Sequence, residues 1–243
     1  DLMGLLRSDA DSVYQAITSF NDQKPIALLI HSVGGAIEPA YLISKLCREH
    51  AKDKFIAIVP RKAKSAATLV CCGADEIHMG SMSELGPIDP QINKQPALGL
   101  KNAVQHLAEL TTQYPGAAEM FAAYLGRSLD LISLGYYERV AESAVQYAER
   151  LLTPHQKSLS SDPKQLATSL VYGFKDHGFV IDRSEAEALF GKKTVLSNTP
   201  EYNLCNELYG DLNLVERFCD MSGLTFYYYG SLSSPCTLLL KKA

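Results

Sequence analysis

Two short apolar runs, each ending in a polar turn and a helix start, set the strongest limit on what this chain can fold into. Pro25-Ile26-Ala27-Leu28-Leu29-Ile30 leads into His31-Ser32-Val33-Gly34-Gly35. Phe55-Ile56-Ala57-Ile58-Val59-Pro60 leads into Arg61-Lys62-Ala63-Lys64-Ser65-Ala66-Ala67-Thr68-Leu69. An unbroken apolar run of this length, bounded by turn residues, reads as a buried strand. Strands alternating with helices form a parallel sheet whose crossovers are almost always right-handed. An α/β fold with parallel strands and crossover helices is therefore expected. If the two strands are adjacent, both turns lie at the carboxyl edge of the sheet, where open α/β sheets place their sites.

The remaining elements fit around this unit. Val13, Ile17 and Phe20 at near-helical spacing predict a helix over 9–20. Strands are expected over 25–30 and 55–59, and a short one at Ile77-His78-Met79. Helices are expected from about 36 to 50 and about 65 to 73. Pro39 falls in the first turn of its helix, where a missing N–H costs little. Glu84-Leu85-Gly86-Pro87-Ile88-Asp89-Pro90 breaks the pattern and must be a loop or a short edge strand. Long helices over 97–113 and 129–152 end at Pro115 and Pro154. Further helices are expected near 164–171 and from Asp182, where Asp182-Arg183-Ser184-Glu185 has capping-box spacing. A helix near 201–221 precedes a β-hairpin built from Leu224–Tyr229, a Gly/Ser turn and Thr237–Leu240. Residues 1–197 are thus expected as one domain, and 198–243 as a C-terminal helix and hairpin appendage.

Composition narrows the class. The 243 residues are 47% hydrophobic and 21% charged, the balance of a soluble globular protein with a sizeable core. A net charge of -4 gives no drive toward nucleic acid or an anionic membrane. No apolar stretch approaches the roughly 20 residues that cross a bilayer. A cytoplasmic location is expected. Because the chain starts at Asp1, a membrane anchor remains open only through a missing N-terminal segment. The six cysteines, Cys47, Cys71, Cys72, Cys205, Cys219 and Cys236, contain no CxxC pair, so no metal site is expected. They read as buried free thiols.

Ser65 sits where a nucleophile would. Serine hydrolysis needs an activated hydroxyl, a base, and N–H donors aimed at the developing oxyanion. Ser65 stands at a strand-to-helix turn, although a serine there is by default an N-cap. Ala66 offers a backbone N–H at the helix N-terminus, where the dipole favours negative charge. Gly34 and Gly35 let backbone approach a substrate closely. His31 is a candidate base or a core histidine. Asp89, in its proline-flanked loop, orients a base or caps a helix. Lys64 is expected to point away from Ser65, and His177, before the Gly178 turn, reads as structural.

Four blocks carry a resemblance: His31-Ser32-Val33-Gly34-Gly35, Ser65-Ala66-Ala67-Thr68, Ala74-Asp75-Glu76-Ile77 and Leu85-Gly86-Pro87-Ile88-Asp89-Pro90-Gln91. Together they resemble the serine dehydrogenase proteinase family, of the Clp protease and signal-peptide peptidase A group with the crotonase-like fold. The resemblance covers about residues 25–110 and returns weakly at Asp176–Asp182. It implies Ser65 as nucleophile, Gly35 and Ala66 as oxyanion donors, and no cofactor. It also implies a peptide or protein substrate and a homo-oligomer, trimer or hexamer. Some membrane-linked relatives pair the serine with a downstream lysine, which makes Lys101 the candidate general base; its pKa would have to fall well below ~10.4. Val33 and Ala67 depart from the family's usual proline and glycine, and Ala67 is expected to crowd the nucleophile.

Two rivals remain beside a serine peptidase with a Ser65/Lys101 dyad. One is a crotonase-like enzyme acting on acyl-CoA through the same oxyanion hole. The other is a catalytically inactive scaffold relative.

Overall fold

A computed structural model describes residues 4–19, 24–92, 95–96, 99–128, 131–230 and 235–241. In chain order the first elements are α1 (Arg7–Ser19), β1 (Ile26–Leu29), α2 (Ile37–His50), β2 (Phe55–Val59), β3 (Lys62–Ala63) and α3 (Ala66–Cys71). Then come β4 (Glu76–Met79), β5 (Glu84–Leu85), β6 (Gln91–Ile92), β7 (Gln95–Pro96) and α4 (Gly99–Gln113). A 3-10 turn over Pro115–Ala117 precedes α5 (Ala118–Ser128) and α6 (Leu131–Leu152). The chain continues through α7 (Pro163–Tyr172), α8 (Arg183–Phe190), β8 (Val195–Leu196), α9 (Pro200–Met221), β9 (Leu224–Gly230) and β10 (Pro235–Lys241).

The expected α/β architecture with a parallel sheet is present. Its strand order is β1-β2-β4-β8, every pair parallel. β2 is central and buried at every position, which explains its unbroken apolar run. β1 lies at the edge and is only half-buried, with Ala27 exposed, so it is not enclosed as its sequence suggested. Side chains of β2 alternate between two layers. Phe55, Ala57 and Val59 join the main core with α2, α3, α6 and α7 residues such as Ile43, Leu69, Leu152 and Leu170. Ile56 and Ile58 face the other way and pack against Tyr202 of α9.

Helix ends follow their sequence signals. Asp162 and Thr199 cap α7 and α9, each followed by proline at the first helical position. Asp182 caps α8 by accepting from the Glu185 N–H at 2.9 Å. The tail pairs β9 with β10 in antiparallel register, from Gly230 opposite Pro235 to Leu224 opposite Lys241.

A second, smaller layer of strand pairing lies past the carboxyl ends of β1 and β2. Ser32 bridges Ala63, β3 pairs with β5, and Leu85 bridges Ile181. Thr68, fully buried, ties this layer to α3: its hydroxyl donates to the Ala63 carbonyl at 2.6 Å and accepts from the Gly86 N–H at 3.0 Å. Thr68→Val keeps the shape but strands both backbone partners. It is expected to destabilise the protein by roughly 1–3 kcal/mol in urea unfolding; an unchanged midpoint would show that these bonds carry nothing.

Candidate active site

Ser65 occupies the N-cap position of α3 without acting as a cap: its side chain makes no capping hydrogen bond. Its backbone has φ 51° and ψ -121°. A non-glycine residue with positive φ is uncommon and costs on the order of 1–3 kcal/mol. The α3 residues that follow are all buried, which fixes the turn against this strain.

The Gly-Gly turn meets this serine directly. Gly34 has φ +109°, and a Cβ built on it would lie 2.7 Å from the Ser65 Cβ and 2.8 Å from the Lys64 carbonyl. Gly35 has φ +143°, and a Cβ there would strike the Leu5 backbone. Glycine is thus required at both positions by conformation and by space. Leu5 holds the turn from outside, donating its N–H to the Gly34 carbonyl at 2.7 Å and accepting from the Ala36 N–H at 2.9 Å. Among the described residues, neither the Gly35 nor the Ala66 N–H has an acceptor.

A cleft of about 470 Å3 opens over this meeting point. Ser65, Gly34, Gly35, Ala66 and His177 line it together. Its remaining wall is mainly apolar, with Leu5, Val33, Ile37, Leu69, Ile88 and Val140. His177, expected before the Gly178 turn as a structural residue, also lines the serine's cleft. Its Nδ1 is 2.7 Å from Asp89 Oδ1. Asp89 is only 8% exposed and also accepts from Gln91 Nε2 at 2.9 Å. With Nδ1–H donated to the carboxylate, the other ring nitrogen is left free to accept a proton.

The other candidates fall elsewhere. Lys101 lies in α4, and its side chain is outside the described residues. His31 lines a separate cleft of about 560 Å3 with Arg61, Lys62 and Tyr209. Its ring sits 4.8 Å from Tyr209, and its buried Nδ1 has no partner. Burial, then the charges of Lys62 and Arg61, push its pKa down to about 4. Ala67 does not crowd the nucleophile as expected: it is fully buried in the core and is absent from the cleft wall. Cys47 and Cys71 are inert, since burial pushes both thiols up to about 12. No group of metal-ligating side chains occurs among the described residues, and no described helix is long and apolar enough to cross a membrane.

Residues 5–111 match the model of a family described as ClpP-like SDH-type serine proteinase, the family whose motifs the sequence resembles. Two proteins of Methanocaldococcus jannaschii are similar over nearly the same length. Uncharacterized protein MJ0137 is 37% identical over 97 residues, 40% of this chain and 34% of that protein. Uncharacterized protein MJ1495 is 35% identical over 101 residues, 42% of this chain and 34% of that protein. The chain therefore spans about a third of the length of these curated relatives.

Two outcomes follow from the geometry. Gly34→Ala forces a methyl against Ser65 and is expected to slow labelling by a fluorophosphonate at least tenfold, on the order expected for a small misplacement of reacting groups; a wild-type rate would contradict the close approach. His31 resists protonation only when folded, so its contribution is intact above its ordinary value of 6.5 and is lost as pH falls toward about 4. Urea unfolding at pH 7 and pH 5 is expected to show a larger stability loss in wild type than in His31→Gln, and equal losses would refute the shift.

Proposed function

We propose that this chain is a serine peptidase that cleaves peptide bonds through an acyl-enzyme on Ser65. The observation that carries this reading is the strained, uncapped Ser65 facing Gly34 in a cleft also lined by His177, whose ring is bonded to Asp89. The match to a serine proteinase family supports the same class. The Ser65 hydroxyl attacks the scissile carbonyl carbon and passes its proton to the free nitrogen of His177. The tetrahedral oxyanion is met by the Gly35 and Ala66 N–H groups, with the α3 dipole behind them. Collapse breaks the C–N bond, and the imidazolium returns its proton to the leaving amine. Water then attacks the acyl ester and gives its proton to the same nitrogen; as the C–O bond to Ser65 breaks, that proton passes to the Ser65 oxygen, releasing the new carboxyl end and restoring the hydroxyl. Asp89 holds the imidazole in the tautomer this needs. The apolar cleft wall suits an apolar side chain of the peptide.

Lys101 is the second reading for the base. It lies inside the matched segment 5–111, whereas His177 lies outside it. The crotonase-like detail of the fold belongs to this proposal, as does assembly into a homo-oligomer. The exposed Leu204, Phe218 and Met221 on α9 offer apolar surface for such assembly.

Fluorophosphonate labelling beside peptide hydrolysis tests the mechanism. Ser65→Ala is expected to abolish both. His177→Ala is expected to slow both by about a hundredfold or more, the usual contribution of a general base, with Lys101→Ala close to wild type. The reverse pattern transfers the role to Lys101. Absence of labelling in wild type removes the peptidase reading in favour of acyl-CoA chemistry or an inactive scaffold.

A further inference from the structure

We infer that Lys64 is a positioning residue that clamps the loop carrying His177 onto the strand end leading to Asp89. This rests on the reading of His177 as the base. Lys64 precedes Ser65, yet its side chain runs away from the nucleophile and is only 15% exposed. Its ammonium donates to the Phe179 carbonyl at 2.8 Å and to the Gly178 carbonyl at 3.3 Å, the two residues that follow His177. It also reaches the Leu85 carbonyl at 3.3 Å and the Glu84 carboxylate at 3.2 Å, on the strand just before the Asp89 loop.

One cation thus joins three segments that are distant in sequence: the turn of Ser65, the strand that leads to Asp89 and the loop of His177. The ammonium's three N–H donors are shared among these three carbonyl oxygens and the Glu84 carboxylate, which also offsets its charge. Gly86 makes room for the stem, since a Cβ there would stand 2.7 Å from Lys64 Cδ. Elsewhere the segment is held by the Phe179 ring against Phe174 at 4.9 Å and by the Ile181–Leu85 bridge. Asp176 closes a turn through the Gly178 and Phe179 N–H groups, and Phe179 is 41% exposed. Without the ammonium, two carbonyls of this loop lose their donor, and the imidazole is free to drift from Asp89 and from Ser65.

The full-length protein is used for the test. The proton shared between His177 Nδ1 and Asp89 gives a strongly downfield NMR resonance, and fluorophosphonate labelling reports the serine. Lys64→Met is expected to broaden or remove the resonance and slow labelling about ten- to a hundredfold, as misplacement of a base does. Its circular dichroism is expected to match wild type. Lys64→Arg, which keeps the charge and several donors, is expected to restore both signals. A folded Lys64→Met with the resonance intact overturns the proposal, as does an Arg variant as impaired as Met. If Lys64→Met does not fold, Lys64→Gln carries the same two measurements, and wild-type values in it likewise overturn the proposal. His177→Ala alongside keeps the two readings apart. If it labels like wild type, the assignment of the base falls, while the resonance still decides whether Lys64 holds the imidazole.

Discussion

Everything at the site depends on one row of backbone pairing that crosses the ends of the main strands. Ser32, Ala63, Leu85 and Ile181 stand side by side in that row. Each leads within a few residues to a part of the site: Ser32 to Gly34 and Gly35, Ala63 to Ser65, Leu85 to Asp89, and Ile181 back to His177. Backbone hydrogen bonds are directional and fix register, so three short pairings are enough to align four loops. The loops themselves need little internal structure.

The row is held by groups that cannot leave it cheaply. Thr68 joins the Ala63 carbonyl to the Gly86 N–H from inside the core, where an unmade hydrogen bond is costly. α3 is buried on every side, so the strain at Ser65 is not free to relax by rotating the helix start. Gly34 completes the constraint by pressing on the serine from the neighbouring turn. The result is a serine held in an unfavourable conformation whose hydroxyl makes no capping bond.

The sequence made part of this legible, and the boundary has a physical meaning. β2 was readable because a strand enclosed on both faces must be apolar throughout, and Ser65 with Gly34 was readable because turn chemistry is local. β3, β5 and β8 have two residues each, too few to show a period, so only the tertiary pairing reveals them. α5 was not anticipated, and its Met120 and Tyr124 face solvent. The place of His177 in the cleft was hidden for a different reason. Its partner Asp89 is 88 residues away, and the histidine's own neighbours, Asp176 and Gly178, describe only a turn. The available signal lay in Asp89: a buried-side carboxylate in a rigid loop asks for a partner, and His177 sits in the one later segment where the family resemblance returns.

The same geometry limits what the matched segment can do alone. Residues 5–111 hold Ser65, Gly35, Ala66 and Asp89. They lack Ile181, which closes the pairing row beside Leu85, and β8, which covers the outer edge of β4. They also lack Tyr202, whose ring fills the space beside Ile56 and Ile58 and whose hydroxyl end occupies the room left at Gly80. A sheet without its edge strand and one covering helix exposes β2 and β4 on the face that their apolar residues were chosen to bury. The later part of the chain is therefore a structural condition for the site, whichever side chain takes the proton. If the base is His177, that later part also supplies the chemistry, so the half of the chain with the weakest likeness to its relatives completes the site begun by the half with the strongest.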